Sequence, residues 1–346
     1  MPYKIEVFKE FIEKIKDSPR VVILAHASCD GLCAGVILQK ALKKTGISSE
    51  IIYPGKGEDI AYYSDTISGT SLKDKIKSLN PGALFVLDLG FNENLAKDNI
   101  PVLFIDHHYA DAARDNKKNI SSYFDKNIRP TSLLVYDLCS SISDVKDLGY
   151  LAAAGTISDL GRDNPFSIIS HIIDENSLKS MQEIGILVNS ARRSSSYDIA
   201  AALKLLTEAG SADDIIRGKL PEAYLLQQYR EEVNNECKRI RHTAPVFKWR
   251  VALIPFESRS DIGGLIASMW AHKLQSYVVI AVNFGYIEGM AEFTVKTNTK
   301  INAIKFIDSV KPKDIRDKIV SGHAASCAGI VDMNLWRKIA RNMGYD

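Results

Sequence analysis

The sequence predicts an α/β protein: an N-terminal doubly wound parallel sheet, then a smaller C-terminal α/β domain with a mixed sheet. In the N-terminal half, short apolar runs alternate with helical patterns, which is typical of a parallel sheet covered on both faces. A second group of strand patterns begins only after a polar helical segment. The 346 residues also exceed the length of a typical single domain. The predicted domains are 1–205 and 246–346, with a helical linker over 206–245.

The elements of the first domain follow from the spacing of its apolar residues. Residues 4–17 place large apolar side chains at helical spacing and predict an amphipathic helix. Four apolar runs predict strands: VVILA at 21–25, SEIIYP at 49–54, ALFVLDLG at 83–90 and PVLFID at 101–106. Helical patterns lie between and after these strands, at 32–45, 71–79, 133–142 and 150–160.

The C-terminal part begins a new pattern after the polar segment 206–245. This segment contains EAYLLQQYREEVNNECKRIRH, in which a stripe of Tyr and Leu is surrounded by charges, and it predicts a connecting helix. Strand patterns then return at 247–256, 276–284 and 290–297, with helical patterns around them. The sequence contains no internal repeat and no low-complexity tract.

Composition narrows the class of protein. The chain has 44 basic and 42 acidic residues, a net charge of +2, so any binding to nucleic acid must use a local patch. No stretch is long and apolar enough to span a bilayer, and the first residues do not resemble a signal peptide. The five cysteines are unevenly spaced, which favours a reducing compartment over a disulfide framework. We therefore expect a cytoplasmic protein with no membrane partner.

Histidines and aspartates follow several of the predicted strands. Ligands bind at the carboxyl ends of the strands of open parallel sheets, where such side chains converge. Carboxylates and imidazoles that meet at one point are ligands for divalent cations of the Mn, Mg or Zn kind. Taken singly, Asp30 could be only a helix N-cap and Asp88 only a turn residue. The candidates are His26, Asp30, Asp88, Asp106, His107, His108 and, at the end of a helical segment, Asp159.

The order of these residues in the chain resembles the DHH phosphoesterase superfamily, in particular RecJ-like exonucleases and GINS-associated nuclease-type proteins. The matching N-terminal motifs are HASCDG, VLDLG, IDHH and GTISDLG, and RPTSLLVYDL is similar to the segment before the last of them. In the C-terminal part, SGHAASCAG is similar to the glycine- and histidine-containing motif of the DHH-associated domain. The resemblance covers nearly the whole chain.

The resemblance implies two Mn²⁺ or Mg²⁺ ions bridged by Asp88. It assigns Asp30, His107 and Asp159 to one ion together with Asp88. The second ion takes His26 and an aspartate two residues later, but Ser28 stands at that position. A neutral hydroxyl is a poor ligand for a hard cation, so we expect the second ion to bind weakly.

The resemblance also assigns roles to residues that do not bind metal. His108 would approach the substrate phosphate, and Asp106 would orient a metal-binding imidazole. Four further residues match positions that hold the substrate across the cleft between the family's domains. These are Gly322 and His323 of the C-terminal motif, Lys296 at the place of an arginine in relatives, and Arg192 in VNSARRSSS. For Cys29 and Cys33, buried apolar packing and a zinc site are the alternatives.

The predicted function is metal-dependent hydrolysis of single-stranded DNA or RNA by a RecJ-like exonuclease. The H-x-S-x-D-G spacing of the first motif favours this over the other branches of the family. Two alternatives stay open. One is a catalytically weakened replication scaffold that binds GINS and the replicative helicase, which Ser28 favours. The other is an oligoribonuclease or a hydrolase of small phosphoesters, since the chain is short and short oligonucleotides would suffice as substrates.

Overall fold

A computed structural model describes residues 1–58, 72–92, 95, 99–108, 116–161, 166, 175–315 and 319–345. The described chain divides into two compact units. The first holds the described residues up to Arg192 together with Asp198–Gln228. The second holds Arg193–Tyr197 and the chain from Tyr229 onwards.

The first unit is built on a parallel sheet of five strands. The strands are β1 (Val21–Ala25), β2 (Ser49–Ile52), β3 (Ala83–Leu87), β4 (Val102–Asp106) and β5 (Asn119–Ser121). Their order is β2-β1-β3-β4-β5. Every neighbouring pair is parallel. Because β1, β3 and β4 are adjacent, their carboxyl ends meet at one edge of the sheet.

Helices surround this sheet. The side chains of β1, β3 and β4 are buried throughout, as expected for strands covered on both faces. The helices of the first unit, in chain order, are α1 (Pro2–Ile15), α2 (Cys29–Lys44), α3 (Leu72–Ser78), α4 (Thr131–Cys139), α5 (Gly149–Leu160), most of α6 (Glu175–Arg193), α7 (Ile199–Glu208), α8 (Ala212–Ile216) and the first part of α9 (Pro221–Ile240). A turn of 3₁₀ helix at Lys146–Leu148 precedes α5.

The predicted strands and helices of this unit are present with small differences in length. The strand β5 was not predicted, because its three residues form too short a run to give an apolar pattern. The segment 206–245 is not one connecting helix. It contains the end of α7, the short α8 and then α9, with Ser211 capping α8 through its side chain. Cys29 and Cys33 are fully buried in α2, as apolar packing predicts.

The second unit has a mixed sheet, as predicted, and this sheet has six strands, whereas only three strand patterns were predicted. The strands are β6 (Val246–Lys248), β7 (Val251–Phe256), β8 (Val278–Asn283), β9 (Met290–Thr297), β10 (Ser321–His323) and β11 (Ser326–Asp332). Their order is β10-β11-β9-β8-β7-β6. Only β7 and β8 are parallel. The single predicted strand at 247–256 is in fact the hairpin of β6 and β7.

Helices pack on both faces of the mixed sheet. They are α10 (Gly263–Lys273), α11 (Ala303–Val310) and α12 (Met333–Asn342). Phe293 and Ile280 face one apolar cluster that contains Trp336 of α12. Ile254 faces a second cluster that contains Ile266 of α10. Among the described residues of both units, no helix is long and apolar enough to cross a membrane.

Candidate metal centre

The turn between β1 and α2 brings His26, Ser28 and Asp30 to the carboxyl edge of the parallel sheet. The backbone N–H of His26 donates to the Leu87 carbonyl at 3.0 Å, which ties the end of β1 to the end of β3. Ser28 is the N-cap of α2, and its hydroxyl accepts the N–H of Gly31 at 3.0 Å. A Cβ at Gly31 would lie 2.4 Å from the His26 carbonyl oxygen, so this tight turn needs glycine.

Asp88 follows β3 and lies at the centre of the site. Its backbone has a φ of 62°, a left-handed conformation that few residues other than glycine adopt. The Asp88 carboxylate is buried and accepts the Ser28 hydroxyl at 2.9 Å and the Thr131 hydroxyl at 3.0 Å. Two imidazoles flank it: Nδ1 of His26 is 3.4 Å from Oδ2, and Nε2 of His107 is 3.2 Å from Oδ1.

Asp106, at the end of β4, holds the loop that carries the two histidines. Its Oδ1 accepts the backbone N–H of His108 and lies 2.8 Å from Nδ1 of the His108 ring. Its Oδ2 accepts the N–H of Gly90, two residues after Asp88. The resemblance assigned Asp106 to the orientation of a metal-binding imidazole. In the structure Asp106 contacts His108, whereas His107 lies between Asp88 and Asp159, whose Oδ2 is 3.7 Å from His107 Nδ1.

Asp30 has a different set of partners. Both of its oxygens accept hydrogen bonds at the start of α4: Oδ2 from Thr131 N at 2.7 Å, and Oδ1 from Ser132 N at 2.9 Å and from the Ser132 hydroxyl. The N-cap of α4 is Pro130, which supplies no side-chain cap. Asp30 therefore caps a helix that begins about a hundred residues later in the chain. The cap alternative considered for Asp30 is realised at α4 and not at α2.

The electrostatics of the two aspartates are opposite. Burial alone would raise the pKa of Asp88, but hydrogen bonds from His107 and His26 outweigh it and hold that pKa well below its ordinary value. The same contact outweighs the burial of His107 and raises the pKa of its imidazole to about 10. For Asp30, burial and then the negative charge of Asp88 raise the pKa to about 7. Burial is also the main cause of the raised pKa of Asp159.

Among the residues that the structure describes, the side chains of Asp88, His107 and His108 could hold one cation together. Each offers a ligand atom, and these atoms all lie within 4.8 Å of one another. A carboxylate and imidazoles are ligands for Mn²⁺ and related divalent cations, so this donor set fits such an ion. The side chains after β1 fit a divalent cation less well. Ser28 provides only a neutral hydroxyl, and both oxygens of Asp30 already accept hydrogen bonds from α4.

The remaining predicted residues lie outside this cluster. In the second unit, Lys296 pairs with Ser326, and Ser326 pairs with His323, so Lys296 and His323 lie on one face two strands apart. Burial lowers the pKa of Lys296, and the charge of Arg193 adds to this effect. Gly322 has a φ of 135°, and a Cβ there would be 2.4 Å from the Ser326 carbonyl. Arg192 lies near the end of α6 in the first unit.

Three polar residues of the site were not predicted as site residues. Thr131 and Ser132 bond to Asp88 and Asp30, and Asn189 of α6 accepts the Cys29 N–H at 3.0 Å. Thr131 and Ser132 belong to RPTSLLVYDL, whose resemblance to a family segment was the available signal. Asn189 belongs to VNSARRSSS, whose resemblance to an Asn-x-x-Arg segment of the family was a comparable signal, although only Arg192 was singled out there.

No protein-family model matches the sequence, and no curated protein sequence matches it. Solved structures do match. RecJ of Thermus thermophilus in complex with Mn²⁺ superposes on 98% of this chain with a TM-score of 0.72 and 14% identity. This chain spans 54% of the length of that RecJ. An exonuclease RecJ bound to manganese matches with a TM-score of 0.69 at 14% identity, over 98% of this chain and 93% of its own.

CDC45 of Entamoeba histolytica matches as well. Its TM-score is 0.59 at 10% identity, over 98% of both chains. At these identities the likenesses define a fold and not an activity. The chain has a RecJ-like fold, a parallel sheet followed by a smaller α/β unit with a mixed sheet.

Proposed function

We propose that this protein is a Mn²⁺- or Mg²⁺-dependent phosphodiesterase that hydrolyses single-stranded DNA or RNA, as RecJ-like exonucleases do. The observation that carries the proposal is the environment of Asp88. A buried carboxylate with a depressed pKa lies 3.2 Å from one imidazole, and a second imidazole is close enough to share a cation with both. Burying a charged carboxylate costs free energy of folding, and the binding of a divalent cation would explain why the charge is kept there.

The proposed roles follow from the contacts of each side chain. Asp88, His107 and Asp159 would hold the first cation, with His108 close enough to share it, and His26 would belong to the weaker second position. A bound divalent cation would activate water and stabilise charge on a phosphate. Asp106 fixes His108, which is a third exposed, so that its ring reaches the phosphate. The resemblance also places Asp30 at the first cation, and its contacts with α4 support a second role as a fixed frame for Asp88.

The second unit supplies candidates for binding of the substrate. Lys296 and His323 occupy one face of the mixed sheet, and Gly322 keeps the backbone of β10 free of a side chain. Lysine provides charge without the bidentate geometry of arginine, so Lys296 would attract a phosphate and not fix its orientation. Arg192 completes the proposed set of cationic residues for single strands or short oligonucleotides.

The second candidate function is a replication scaffold with weak or no catalysis, binding GINS as other members of this superfamily do. Ser28 favours it, because the hydroxyl caps α2 and donates to Asp88 where the resemblance expects a carboxylate. The buried side chains of Asp30, Asp106 and His107 near Asp88 favour the enzyme, because a scaffold gains nothing from burying them.

A nuclease assay separates the two functions. Single strands labelled at one end are incubated with Mn²⁺ and with wild type, Asp88→Asn or the exposed control Asp17→Asn. We expect hydrolysis by wild type and by Asp17→Asn, and a loss of at least about 10²-fold in Asp88→Asn, the scale on which removing one electrostatic contact to the reacting group acts. A wild type that is as inactive as Asp88→Asn would favour the scaffold.

A further inference from the structure

The hairpin of β6 and β7 exposes a short aromatic and basic segment at one edge of the mixed sheet. All five residues from Val246 to Arg250 are exposed. Phe247 is 48% exposed and Trp249 is 89% exposed, the latter being a large apolar side chain almost entirely in water. The sequence of this hairpin tip is VFKWR, in which aromatic and cationic residues alternate.

The backbone at Trp249 makes this exposure unusual. Lys248 pairs with Val251, so Trp249 and Arg250 form a two-residue turn. Trp249 has a φ of 50°, at the first turn position, where hairpins of this kind favour glycine. A bulky side chain is disfavoured in that conformation, and at 89% exposure it gains little packing in return. Folding of the hairpin does not explain a tryptophan at this position.

The hairpin is held in place by its neighbours. The Tyr345 hydroxyl lies 3.2 Å from the Val246 carbonyl and 3.0 Å from the Val251 carbonyl, joining the two strands. The ring of Phe247 packs edge-on against Tyr277, with the ring centroids 5.2 Å apart. The backbone N–H of Val278 donates to the Arg250 carbonyl at 2.8 Å. The aromatic rings are thus presented from a fixed support, which keeps the entropy cost of binding low.

The chain segment that contains the hairpin, between Glu236 and Glu257, carries charge of one sign. Residues 237–256 contain five Lys and Arg residues and no Asp or Glu. Arg239 is engaged by Glu236, but among the described residues no carboxylate pairs with Lys248 or Arg250. Two copies joined edge to edge through β6 would bring like charges together with nothing in this segment to neutralise them. The charge therefore favours an anionic partner over a second copy of the chain.

We propose that the hairpin tip, residues 246–250, is a binding surface for single-stranded nucleic acid, with a base stacked on Trp249 and phosphates near Lys248 and Arg250. Aromatic rings beside cations are the combination that binds single strands without sequence preference. The surface belongs to the second unit and contains none of the residues assigned to the metal centre. The inference rests on the proposed nucleic-acid substrate, but it does not require catalysis.

The test is binding of a fluorescein-labelled oligothymidylate of about 16 nucleotides, measured by anisotropy in EDTA. Trp249→Gly should weaken binding by about tenfold or more, since one stacked base is lost. Glycine suits the turn, so urea unfolding should show this variant to be at least as stable as wild type. Lys248→Ala should lower the salt dependence of log Kd by about 0.7 per phosphate contact removed. Tyr224→Ala, which removes a 70% exposed ring of α9, is the matched control and should bind like wild type.

Several results would overturn this proposal. They are wild-type affinity in both hairpin variants, no binding by wild type, Trp249-dependent binding to anionic lipid vesicles but not to the oligonucleotide, or a wild-type dimer that Trp249→Gly dissociates. Mn²⁺-dependent hydrolysis is measured in parallel on the same samples. If wild type hydrolyses the substrate and the hairpin variants bind the oligonucleotide as wild type does, the hairpin surface is refuted and the phosphodiesterase proposal is not. Trp249-dependent binding without any hydrolysis refutes the phosphodiesterase alone.

Discussion

The β1 side and the β3 side of the site each provide a buried aspartate, and the two carboxylates are held by different kinds of partner. Asp30, after β1, accepts two backbone N–H groups and one hydroxyl at the start of α4. Among the described residues, the carboxylate of Asp88, after β3, contacts side chains, namely two hydroxyls and three imidazoles. The backbone N–H groups that bind Asp30 are fixed by the start of α4. The hydroxyls that bind Asp88 can rotate, and its imidazole partners can lose a proton. We infer that Asp30 serves mainly as a frame and that Asp88 is the carboxylate available for chemistry.

Substitution of Asp30 should therefore cost more stability than substitution of Asp88. Asp30→Ala leaves the buried N–H groups of Thr131 and Ser132 without an acceptor, and we expect a loss of about 2–4 kcal/mol in the free energy of unfolding. Asp88→Ala should cost less than half of that in metal-free protein, because its partners can rearrange. Urea unfolding of both variants in EDTA measures the difference. Equal losses in the free energy of unfolding would contradict the inference that Asp30 is mainly structural and that Asp88 is the carboxylate available for chemistry.

The pH dependence of stability sharpens the same comparison. In the folded protein the pKa of Asp30 is about 7, raised by burial and by Asp88, whereas in the unfolded chain it is about 4. The folded state thus binds more protons between these values, and metal-free wild type should lose stability as the pH rises from about 5 to 6.5. Above the raised pKa of Asp30 this contribution becomes constant.

The control for this effect is Asp30→Asn, which has no proton to release. Its free energy of unfolding should change less with pH over the same interval. The depressed pKa values of Asp88 and Asp106 affect stability only below about pH 4, outside the window. A wild type whose stability rises between pH 5 and 6.5, in parallel with Asp30→Asn, would show that Asp30 is ionised in the folded state.

Ser28→Asp tests the weaker side of the site directly. Aspartate is as good an N-cap as serine, so α2 should start at the same residue. In metal-free protein the new carboxylate lies next to Asp88 and should lower stability, and a second Mn²⁺ should reverse that loss. Calorimetric titration should show the second ion binding about 10- to 100-fold more tightly than in wild type. Unchanged Mn²⁺ affinity would mean that Ser28 is not the missing ligand position.

The sequence alone predicted the strand ends and their acids, because apolar runs that stop at His or Asp are local patterns. It did not predict the partners of Asp30, since Thr131 and Ser132 lie about a hundred residues away and only the fold brings them together. The left-handed backbone conformation of Asp88 was not predicted either, because the sequence Asp-Leu-Gly after a strand is typical of an ordinary turn. The turn of the hairpin was not predicted within the single strand pattern at 247–256, because its first position is occupied by a tryptophan and not by the glycine that such turns favour.

The central claim is that Asp88 anchors a divalent cation together with His107. Titration of Mn²⁺ into metal-free protein, with free Mn²⁺ measured by electron paramagnetic resonance, tests this without any substrate. We predict one tightly bound Mn²⁺ per wild-type chain and per Asp17→Asn chain, and none in Asp88→Asn at the same concentrations. Equal Mn²⁺ binding by wild type and Asp88→Asn would contradict the claim.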